Sequence, residues 1–194
     1  MFSPSTPPLL LETKRLYLRE LTPALYKELF TTQRKPAIMA YLGLHTDQEY
    51  KEAEIRFTKG ATTFFSTFKL FHLLDKASHQ VIGRCDYHTW VPTHRRAEVG
   101  YVITSEAFKN RGLMAEALEA VLACGYEHMN LYRVEAMVSP KNTPSMQLLQ
   151  HFGFKKEGLL RNHYMVEDVL EDSVVYSLLK PEFADWQQQH PKAV

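Results

Sequence analysis

The sequence has almost no excess charge, and this shortage excludes several classes of binding protein. Its 194 residues contain 23 Lys and Arg and 22 Asp and Glu, which gives a net charge of +1. A chain this close to neutrality has no overall attraction to nucleic acid or to an anionic membrane. We therefore expect neither of these partners, and any bound anion must be held by a local cluster of charges.

Cysteine and long apolar runs are also scarce. The two cysteines, Cys85 and Cys124, lie far apart in apolar stretches, which is typical of small buried side chains in a reducing compartment. The N-terminal segment MFSPSTPPLLLETKR has no basic start and an apolar run of only three leucines, so we expect it to be neither a signal peptide nor a membrane span. A cytoplasmic location is the resulting expectation.

Motifs for metals and for nucleotides are missing. The nine histidines never form HExxH and never pair with cysteines at ligand spacing, so we expect no metal site. The sequence contains neither GxGxxG nor GxxxxGK[ST], so neither a dinucleotide-binding fold nor a P-loop nucleotidase is predicted.

What the sequence does contain is a series of strand and helix patterns without repeats or linkers. They predict a single α/β or α+β domain over residues 11–180, with a flexible arm at 1–10 and a partly frayed tail at 181–194. Strands are predicted at 15–21, 64–74, 80–90, 98–104, 133–139, 154–160 and 173–179, and helices at 22–35, 47–59, 113–129 and 143–152.

Two cations stand just before the helix in the segment FKNRGLMAEALEAVLACGYEHM. A continuous apolar stripe from Leu113 to Met129 predicts the helix, with Glu116 among the residues that face outward. A helix N-terminus carries unpaired amides and partial positive charge, so Lys109 and Arg111 are unfavourable there unless they bind an anion together with those amides. Gly112 would let such a ligand approach the backbone. The alternative is that both cations only point into water.

The segment KNRGLM resembles the acyl-CoA motif of the GNAT superfamily of N-acetyltransferases, Q/R-x-x-G-x-G/A. Lys109 takes the Gln/Arg position, Gly112 the central glycine and Met114 the final Gly/Ala, while Asn110 stands where glycine is frequent. The downstream segment VSPKNTPSMQLLQHFGFKKEG, residues 138–158, is similar to the second half of the family pattern. Within the superfamily the chain resembles the ribosomal-protein N-terminal (alanine) acetyltransferases and the spermidine acetyltransferases.

The resemblance implies a fold and a binding site for acetyl-CoA. The fold would be a mixed, mostly antiparallel sheet of six to seven strands with about four helices. Its fourth and fifth strands, at 99–104 and 133–138, would run parallel and splay apart to admit acetyl-CoA. The implied CoA-binding residues are Tyr101, Val102, Ile103, Lys109, Asn110, Arg111, Gly112, Leu113, Met114 and Asn142.

The resemblance also implies direct transfer of the acetyl group from the thioester to an amine, without a covalent intermediate. The tyrosine that often protonates the departing thiolate is replaced here by Leu149, whereas Ser145 falls where the ribosomal branch carries a serine. We therefore predict Ser145 as the group that donates to the thiolate. A purely structural alternative is that Asn142 caps a helix and Ser145 lies in its first turn.

For the proton acceptor, Glu98 at the start of the strand in HRRAEVGY is the first candidate, acting through water. The alternative role for Glu98 is an ion pair with Arg95 or Arg96 at the strand edge. Other candidate bases are His94, His88, Asp86, Tyr164 and Glu135.

The acceptor is predicted from its acidity. An α-amine, with a pKa of about 7.7–8.0, is partly neutral at physiological pH, whereas a lysine or polyamine amine near about 10.4 needs a stronger base. The sequence shows no obvious buried base, which favours a protein or peptide N-terminal amine. Small amines such as polyamines, amino acids and aminoglycosides, or a CoA-binding module without catalysis, remain the alternatives, and a homodimer is compatible with the resemblance.

Overall fold

The computed structural model describes residues 2–58 and 68–191, and these form eight strands and six α-helices. The strands are β1 (Leu10–Glu12), β2 (Leu16–Glu20), β3 (Lys69–Asp75), β4 (Val81–Val91), β5 (Arg96–Ile103), β6 (Arg133–Val138), β7 (Lys155–Val166) and β8 (Val169–Leu179). The helices are α1 (Pro23–Thr32), α2 (Lys35–Leu42), α3 (Asp47–Thr58), α4 (Leu113–Glu127), α5 (Thr143–His151) and α6 (Lys180–Gln189).

The strands form a mixed sheet in the order β1-β2-β3-β4-β5-β6-β8-β7. Most neighbours are antiparallel, and β5 and β6 form a parallel pair. This confirms the predicted fold class, with one short strand and two helices more than expected. Cys85 and Cys124 are buried, as predicted, and neither forms a disulfide.

The chain divides into two compact units. The first contains the described parts of residues 1–88 and 100–121, and the second contains residues 89–99 and the described residues from 122 onward. β4, β5 and α4 each begin in one unit and end in the other.

In the first unit, α1, α2 and α3 pack through an apolar cluster that includes Leu25, Leu29 and Ile38. The Thr22 side chain accepts a hydrogen bond from the Leu25 amide, so Thr22-Pro23 starts α1 as predicted. The single helix predicted over 22–35 is wrong at its end, because the chain breaks and restarts as α2. Pro36 has no amide hydrogen and lies in the first turn of α2, where none is required.

The N-terminal segment, predicted as an arm at 1–10, makes several contacts with the first unit. Phe2 contacts Tyr41 edge to face, with ring centroids 5.1 Å apart. The Ser5 amide and hydroxyl each donate a hydrogen bond of 2.9 Å to the Glu28 carboxylate. Leu10–Glu12 then pairs with β2. These contacts hold the segment to the first unit.

β3 and β4 form the predicted hairpin. Its turn is fixed at Asp75, whose carboxylate accepts hydrogen bonds from the Ser78 hydroxyl at 2.7 Å and the Ser78 amide at 2.8 Å. The hydroxyl bond is the main reason that the pKa of Asp75 is lowered. Two predicted features, the strand residues 64–67 and the helix stop at Gly60, lie outside the described residues.

A histidine is buried in β3 between two arginines. His72 is 8% exposed and lies opposite Arg19 on β2 and Arg84 on β4. Burial, followed by the charges of Arg19 and Arg84, lowers the pKa of His72 to about 3. His72 is therefore neutral at physiological pH.

In the second unit, β8 pairs with β6 on one side and with β7 on the other. The sequence patterns predict no helix within the tail at 181–194, whereas residues 180–189 form α6. Phe183 and Trp186 of α6 are buried, and the Trp186 indole donates a 2.6 Å hydrogen bond to the carbonyl of His151. The sequence of α6 is mostly polar, and only these two large side chains are buried. Two apolar positions are too few to form a recognisable amphipathic pattern.

The strands β7 and β8 extend further than the predicted 154–160 and 173–179. The added parts of both strands carry exposed apolar side chains, among them Met165 and Val169. Their sequence therefore lacks the alternation of apolar and polar residues that indicates a half-buried strand. Among the described residues no helix has the length and apolar character that would let it cross a membrane.

One glycine in the first unit sets the distance between two strands. An alanine Cβ at Gly83 of β4 would lie 2.2 Å from the carbonyl oxygen of Val102 on β5. Both are backbone positions, so a side-chain movement cannot relieve this overlap. By contrast, an alanine Cβ at Gly158 of β7 would have no neighbour within 4 Å.

We expect Gly83→Ala to lower the free energy of unfolding by about 1–3 kcal/mol or more, because it forces β4 and β5 apart. Gly158→Ala, the matched control, should stay within about 0.5 kcal/mol of the unmodified protein. Urea unfolding followed by circular dichroism measures both. Equal midpoints for the two variants would show that the approach of Val102 to Gly83 is not required.

Candidate functional site

The predicted pantetheine strand is the end of β5 in the first unit. Its residues Tyr101, Val102 and Ile103 are half-buried, exposed and buried in turn. Val102 is 39% exposed, which is unusual for a large apolar side chain in an inner strand of the sheet. After Ile103, the Thr104 amide donates a 2.9 Å hydrogen bond to Ile82, which fixes the point where β5 ends.

The turn between β5 and α4 has a backbone shape that accounts for its sequence. Asn110 and Gly112 both have positive φ, at 57° and 71°. Glycine adopts this left-handed region without steric cost, and asparagine is the side chain that most readily follows it. Asn110 can therefore replace the glycine that is frequent at its position in the family pattern.

The first turn of α4 presents its backbone amides at this point. The first intrahelical hydrogen bond runs from the Glu116 amide to the Gly112 carbonyl at 3.2 Å. The amides of Leu113, Met114 and Ala115 therefore precede the hydrogen-bond ladder of the helix. A Cβ added to Gly112 would meet only Arg15, at 3.6 Å, so the backbone is approachable from one side.

Both predicted cations are exposed beside these amides. Lys109 forms an ion pair with Glu106, and the Arg111 guanidinium lies 5.5 Å from the ring centroid of Phe108. Neither contact buries the charge. The pair is thus placed as the sequence predicts, at the start of α4 and accessible to an anion.

A third cation, Arg15, joins this group and was missed from the sequence. Its Nη1 donates a 2.8 Å hydrogen bond to the carbonyl of Arg111, and its Nε lies 2.7 Å from a carboxylate oxygen of Glu116. Arg15 precedes β2 and is far from α4 along the chain, so sequence spacing offered no signal. The pairing of β1 with β2 brings Thr13 and Arg15 to the start of α4.

Glu116 corrects the expectation that it points into solvent. It is half-buried and accepts hydrogen bonds from the Thr13 hydroxyl and the Arg15 amide, each at 2.6 Å. Burial alone would raise the pKa of Glu116, but the hydrogen bonds from Thr13 and Arg15 outweigh it and lower that pKa. An ionised carboxylate in the first turn also suits the helix dipole.

In the second unit β5 and β6 run parallel, as predicted. Their paired register comprises Arg96 with Arg133, Ala97 with Val134 and Glu98 with Glu135. β5 then continues to Ile103 and β6 to Val138 beyond the last pair.

The predicted base Glu98 is the third residue of β5 rather than its first, and it is only 8% exposed. The arginines that were its alternative partners bind elsewhere: Arg96 contacts Glu135 at 2.9 Å and Arg95 contacts the Asn130 carbonyl at 3.0 Å. Burial, followed by the negative charge of Glu98, raises the pKa of Tyr164.

The other candidate bases have separate positions. Glu135 is held by Arg96 and by Arg133, the latter at 2.8 Å. His94 is exposed in a short 3-10 turn. Asp86 and His88, both on β4 in the first unit, are hydrogen-bonded to each other at 3.0 Å.

The start of α5 carries the remaining predicted residues in the second unit. The Asn142 side chain accepts a 3.2 Å hydrogen bond from the Ser145 amide, so Asn142 is the N-cap of the helix. Ser145 is half-buried in the first turn. Leu149 is fully buried at 0% exposure and therefore belongs to the core.

Tyr101–Ile103 and Lys109–Met114 thus belong to the first unit, while Glu98, Asn142 and Ser145 belong to the second. Within residues 2–58 and 68–191, no cluster of three or more His, Cys, Asp or Glu side chains has the arrangement of a metal site.

Comparison with known proteins identifies the family. The family model described as an acetyltransferase (GNAT) domain matches residues 15–155. The chain is 30% identical to the uncharacterised N-acetyltransferase YoaA of Bacillus subtilis over 173 residues, which are 89% of this chain and 97% of that protein. It is 38% identical to the uncharacterised N-acetyltransferase p20 of Bacillus licheniformis over 114 residues, 59% of this chain and 64% of the relative.

A further relative has a named acceptor. The [ribosomal protein uS5]-alanine N-acetyltransferase of Escherichia coli is 29% identical over 117 residues, which are 60% of this chain and 58% of that protein. The matched family residues include β2 to β6, the turn KNRGLM and α5. The family model and the two Bacillus relatives together show that the chain belongs to the GNAT family of acetyltransferases.

Proposed function

We propose that this protein transfers the acetyl group of acetyl-CoA to the α-amine of a protein or peptide N-terminus. GNAT membership accounts for acetyl-CoA as donor and an amine as acceptor. The observation that carries the proposal is the group of three cations, Arg15, Lys109 and Arg111, around the first amides of α4.

These three cations and the first amides of α4 are proposed to bind the diphosphate of acetyl-CoA. A diphosphate needs several hydrogen-bond donors and compensating positive charge in one place. The amides of Leu113 and Met114 supply the donors, and Lys109 and Arg111 supply charge that is exposed to solvent when no anion is bound. Arg15 is anchored by Glu116, so it orients the Arg111 carbonyl and the turn as well as adding charge.

The pantetheine arm follows the end of β5 in the proposal. Val102 presents an exposed apolar side chain for it, and a strand end leaves backbone amides that can bind an amide-containing chain. One of the amides of Tyr101, Val102 or Ile103 would polarise the thioester carbonyl and stabilise the negative charge that develops on its oxygen.

The first prediction from this proposal separates the diphosphate from the rest of the donor. In the double variant Lys109→Glu with Arg111→Glu, we expect KM for acetyl-CoA to rise at least about tenfold, which corresponds to about 1.4 kcal/mol. KM for acetylpantetheine, which has the thioester but no diphosphate, should be unchanged. Steady-state assays of thiol release with both donors measure this.

The matched control is Lys27→Glu with Lys51→Glu, which changes the net charge by the same amount at two exposed lysines of α1 and α3. It should leave both KM values as they are. If the Lys109 and Arg111 variant bound acetyl-CoA as tightly as the control variant, the diphosphate site would be wrongly placed.

Two side chains of the second unit are proposed to carry protons. The Ser145 hydroxyl donates to the departing thiolate, with its backbone held by the cap at Asn142, and Asn142 also contacts CoA. Glu98 accepts a proton from the reacting nitrogen through a water molecule. Leu149, which is buried in the core, offers no hydroxyl as an alternative donor.

We expect Ser145→Ala to reduce kcat about a hundredfold, in the range usual for losing a positioned proton donor. Its affinity for CoA, measured by calorimetry, should be kept, because the cap at Asn142 uses the backbone of residue 145. Ser145→Thr keeps a hydroxyl and should retain most turnover. Turnover of Ser145→Ala at the original rate would remove Ser145 from the mechanism, and an unchanged pH–rate profile in Glu98→Gln would remove Glu98.

The acceptor proposal rests on the acidity of amines and on the relative that is named as an alanine N-acetyltransferase of ribosomal protein uS5. An α-amine has a pKa of about 7.7–8.0 and is therefore partly neutral at physiological pH, so a modest base suffices. The similarity to the uS5-alanine enzyme extends over 60% of this chain. Polyamines, amino acids and aminoglycosides are the competing acceptors.

An acceptor panel tests this proposal. With acetyl-CoA, we expect thiol release with short peptides that copy ribosomal-protein N-termini and none with the same peptides acetylated at the N-terminus. Spermidine and free amino acids should react at least about tenfold more slowly in kcat/KM. Turnover only with spermidine would identify a polyamine enzyme, and binding of CoA without turnover of any amine would identify a CoA-binding module.

A further inference from the structure

Asp86 and His88 form a hydrogen-bonded pair that the donor site does not use. They are two residues apart on β4 and therefore lie on the same face of the strand. Tyr87 between them faces the other way, where its hydroxyl donates a 3.0 Å hydrogen bond to Val121 of α4. The Asp86–His88 pair is thus on the face of β4 opposite to α4.

The geometry of the pair fixes which imidazole nitrogen carries the lone pair. His88 Nδ1 lies 3.0 Å from Asp86 Oδ2. An ionised carboxylate can only accept hydrogen bonds, so in the neutral imidazole Nδ1 carries the hydrogen and Nε2 the lone pair. Asp86 is 5% exposed, whereas the His88 side chain is 33% exposed. A buried acid that orients a partly exposed imidazole is the arrangement of a general base.

The pair lies against the strand that is proposed to flank the donor. A Cβ at Gly100 of β5 would lie 3.0 Å from His88 Cε1 and 3.3 Å from Asp86 Oδ2. The absence of a side chain at Gly100 therefore lets the imidazole lie on the β5 backbone. Gly100 immediately precedes Tyr101, the first of the residues assigned to pantetheine.

The groups around the pair provide charge and packing. On β4 the Arg84 Nε lies 3.8 Å from Asp86 Oδ1. On β3, His72 lies opposite Arg84 and is buried and neutral, and the ring of Phe68, which precedes β3, is 6.4 Å from the ring of His88. β5 contributes the backbone of Gly100.

We propose that His88 removes the first proton from the acceptor ammonium and that Asp86 is the residue that positions it. This inference rests on the acetyl transfer proposed above. An ammonium loses two protons on its way to an amide. His88 takes the first and yields the neutral amine. The nitrogen lone pair then forms the N–C bond, and the C–S electron pair leaves with sulfur.

The remaining protons complete the balance. The second nitrogen proton is released to water, and the thiolate takes up one proton that comes from solvent. His88 returns its proton to solvent, so the net products are the acetylated amine, CoA thiol and one proton.

The test is the pH dependence of kcat/KM in His88→Gln. At pH 7 we expect a loss of about six- to tenfold, because the variant depends on the neutral fraction of the amine, which is only about a tenth to a sixth of an α-amine with a pKa of about 7.7–8.0. At pH 9.5 an α-amine is almost wholly neutral, since its pKa is about 7.7–8.0, so the variant should recover to within about threefold of the unmodified protein. Asp86→Asn should show a smaller loss with the same recovery.

Two controls separate this role from a structural one. His128→Gln makes the same substitution at an exposed histidine and should leave the profile unchanged. With a set of peptides whose α-amines differ in pKa, the deficit of His88→Gln at pH 7 should shrink as the amine pKa falls. CoA affinity of His88→Gln should be unaltered. A structural defect would lower activity equally for all amines and at all pH values.

A loss that is uniform across pH and amine, or turnover equal to that of the unmodified protein, would overturn the role of His88. Failure of the proposed acceptor has a different signature: the unmodified protein would react with spermidine and not with peptides. The same comparison then uses spermidine, and the recovery of His88→Gln should move to higher pH, toward about 10.4. Absence of turnover with every amine would overturn both proposals.

Discussion

The attraction between an anion and the positive start of α4 is the interaction on which this account depends. A helix N-terminus already carries unpaired amides and partial positive charge. This chain adds Lys109, Arg111 and Arg15 at the same place, an arrangement that opposes the helix dipole. Glu116 compensates for part of that charge by pairing with Arg15. The two exposed cations remain, and a bound diphosphate would turn their repulsion into attraction.

Several features of the first unit follow from the need to build this helix start. Gly112 and Asn110 accept positive φ so that the chain can turn sharply from β5 into α4. The pairing of β1 with β2 delivers Thr13 and Arg15 to Glu116 across about a hundred residues of sequence. Gly83 lets β4 approach the carbonyl of Val102, which fixes the end of the strand that leads into the turn.

Local sequence was sufficient for features that depend on neighbours along the chain. The cap Thr22-Pro23, the β3–β4 hairpin and the cap Asn142 each rely on contacts within a few residues, and each was predictable. The KNRGLM turn was predictable because its cations are adjacent to the helix they flank. The family and fold class followed from this turn together with the segment at 138–158.

Features that depend on distant partners could not be predicted. Arg15 looked like an ordinary strand residue, and Glu116 looked like a solvated helix residue, until the sheet brought them together. The helix α6 depends on burial of Phe183 and Trp186, which the polar sequence around them conceals. The contact between Asp86, His88 and Gly100 requires the register of β4 beside β5, which no single stretch of sequence records.

A crystal structure of the complex with CoA tests the central claim most directly. The account predicts diphosphate oxygens at hydrogen-bond distance, about 2.7–3.2 Å, from the amides of Leu113 and Met114, with Lys109 and Arg111 turned toward them. A diphosphate bound elsewhere on the protein, with the start of α4 in contact only with solvent, would contradict it.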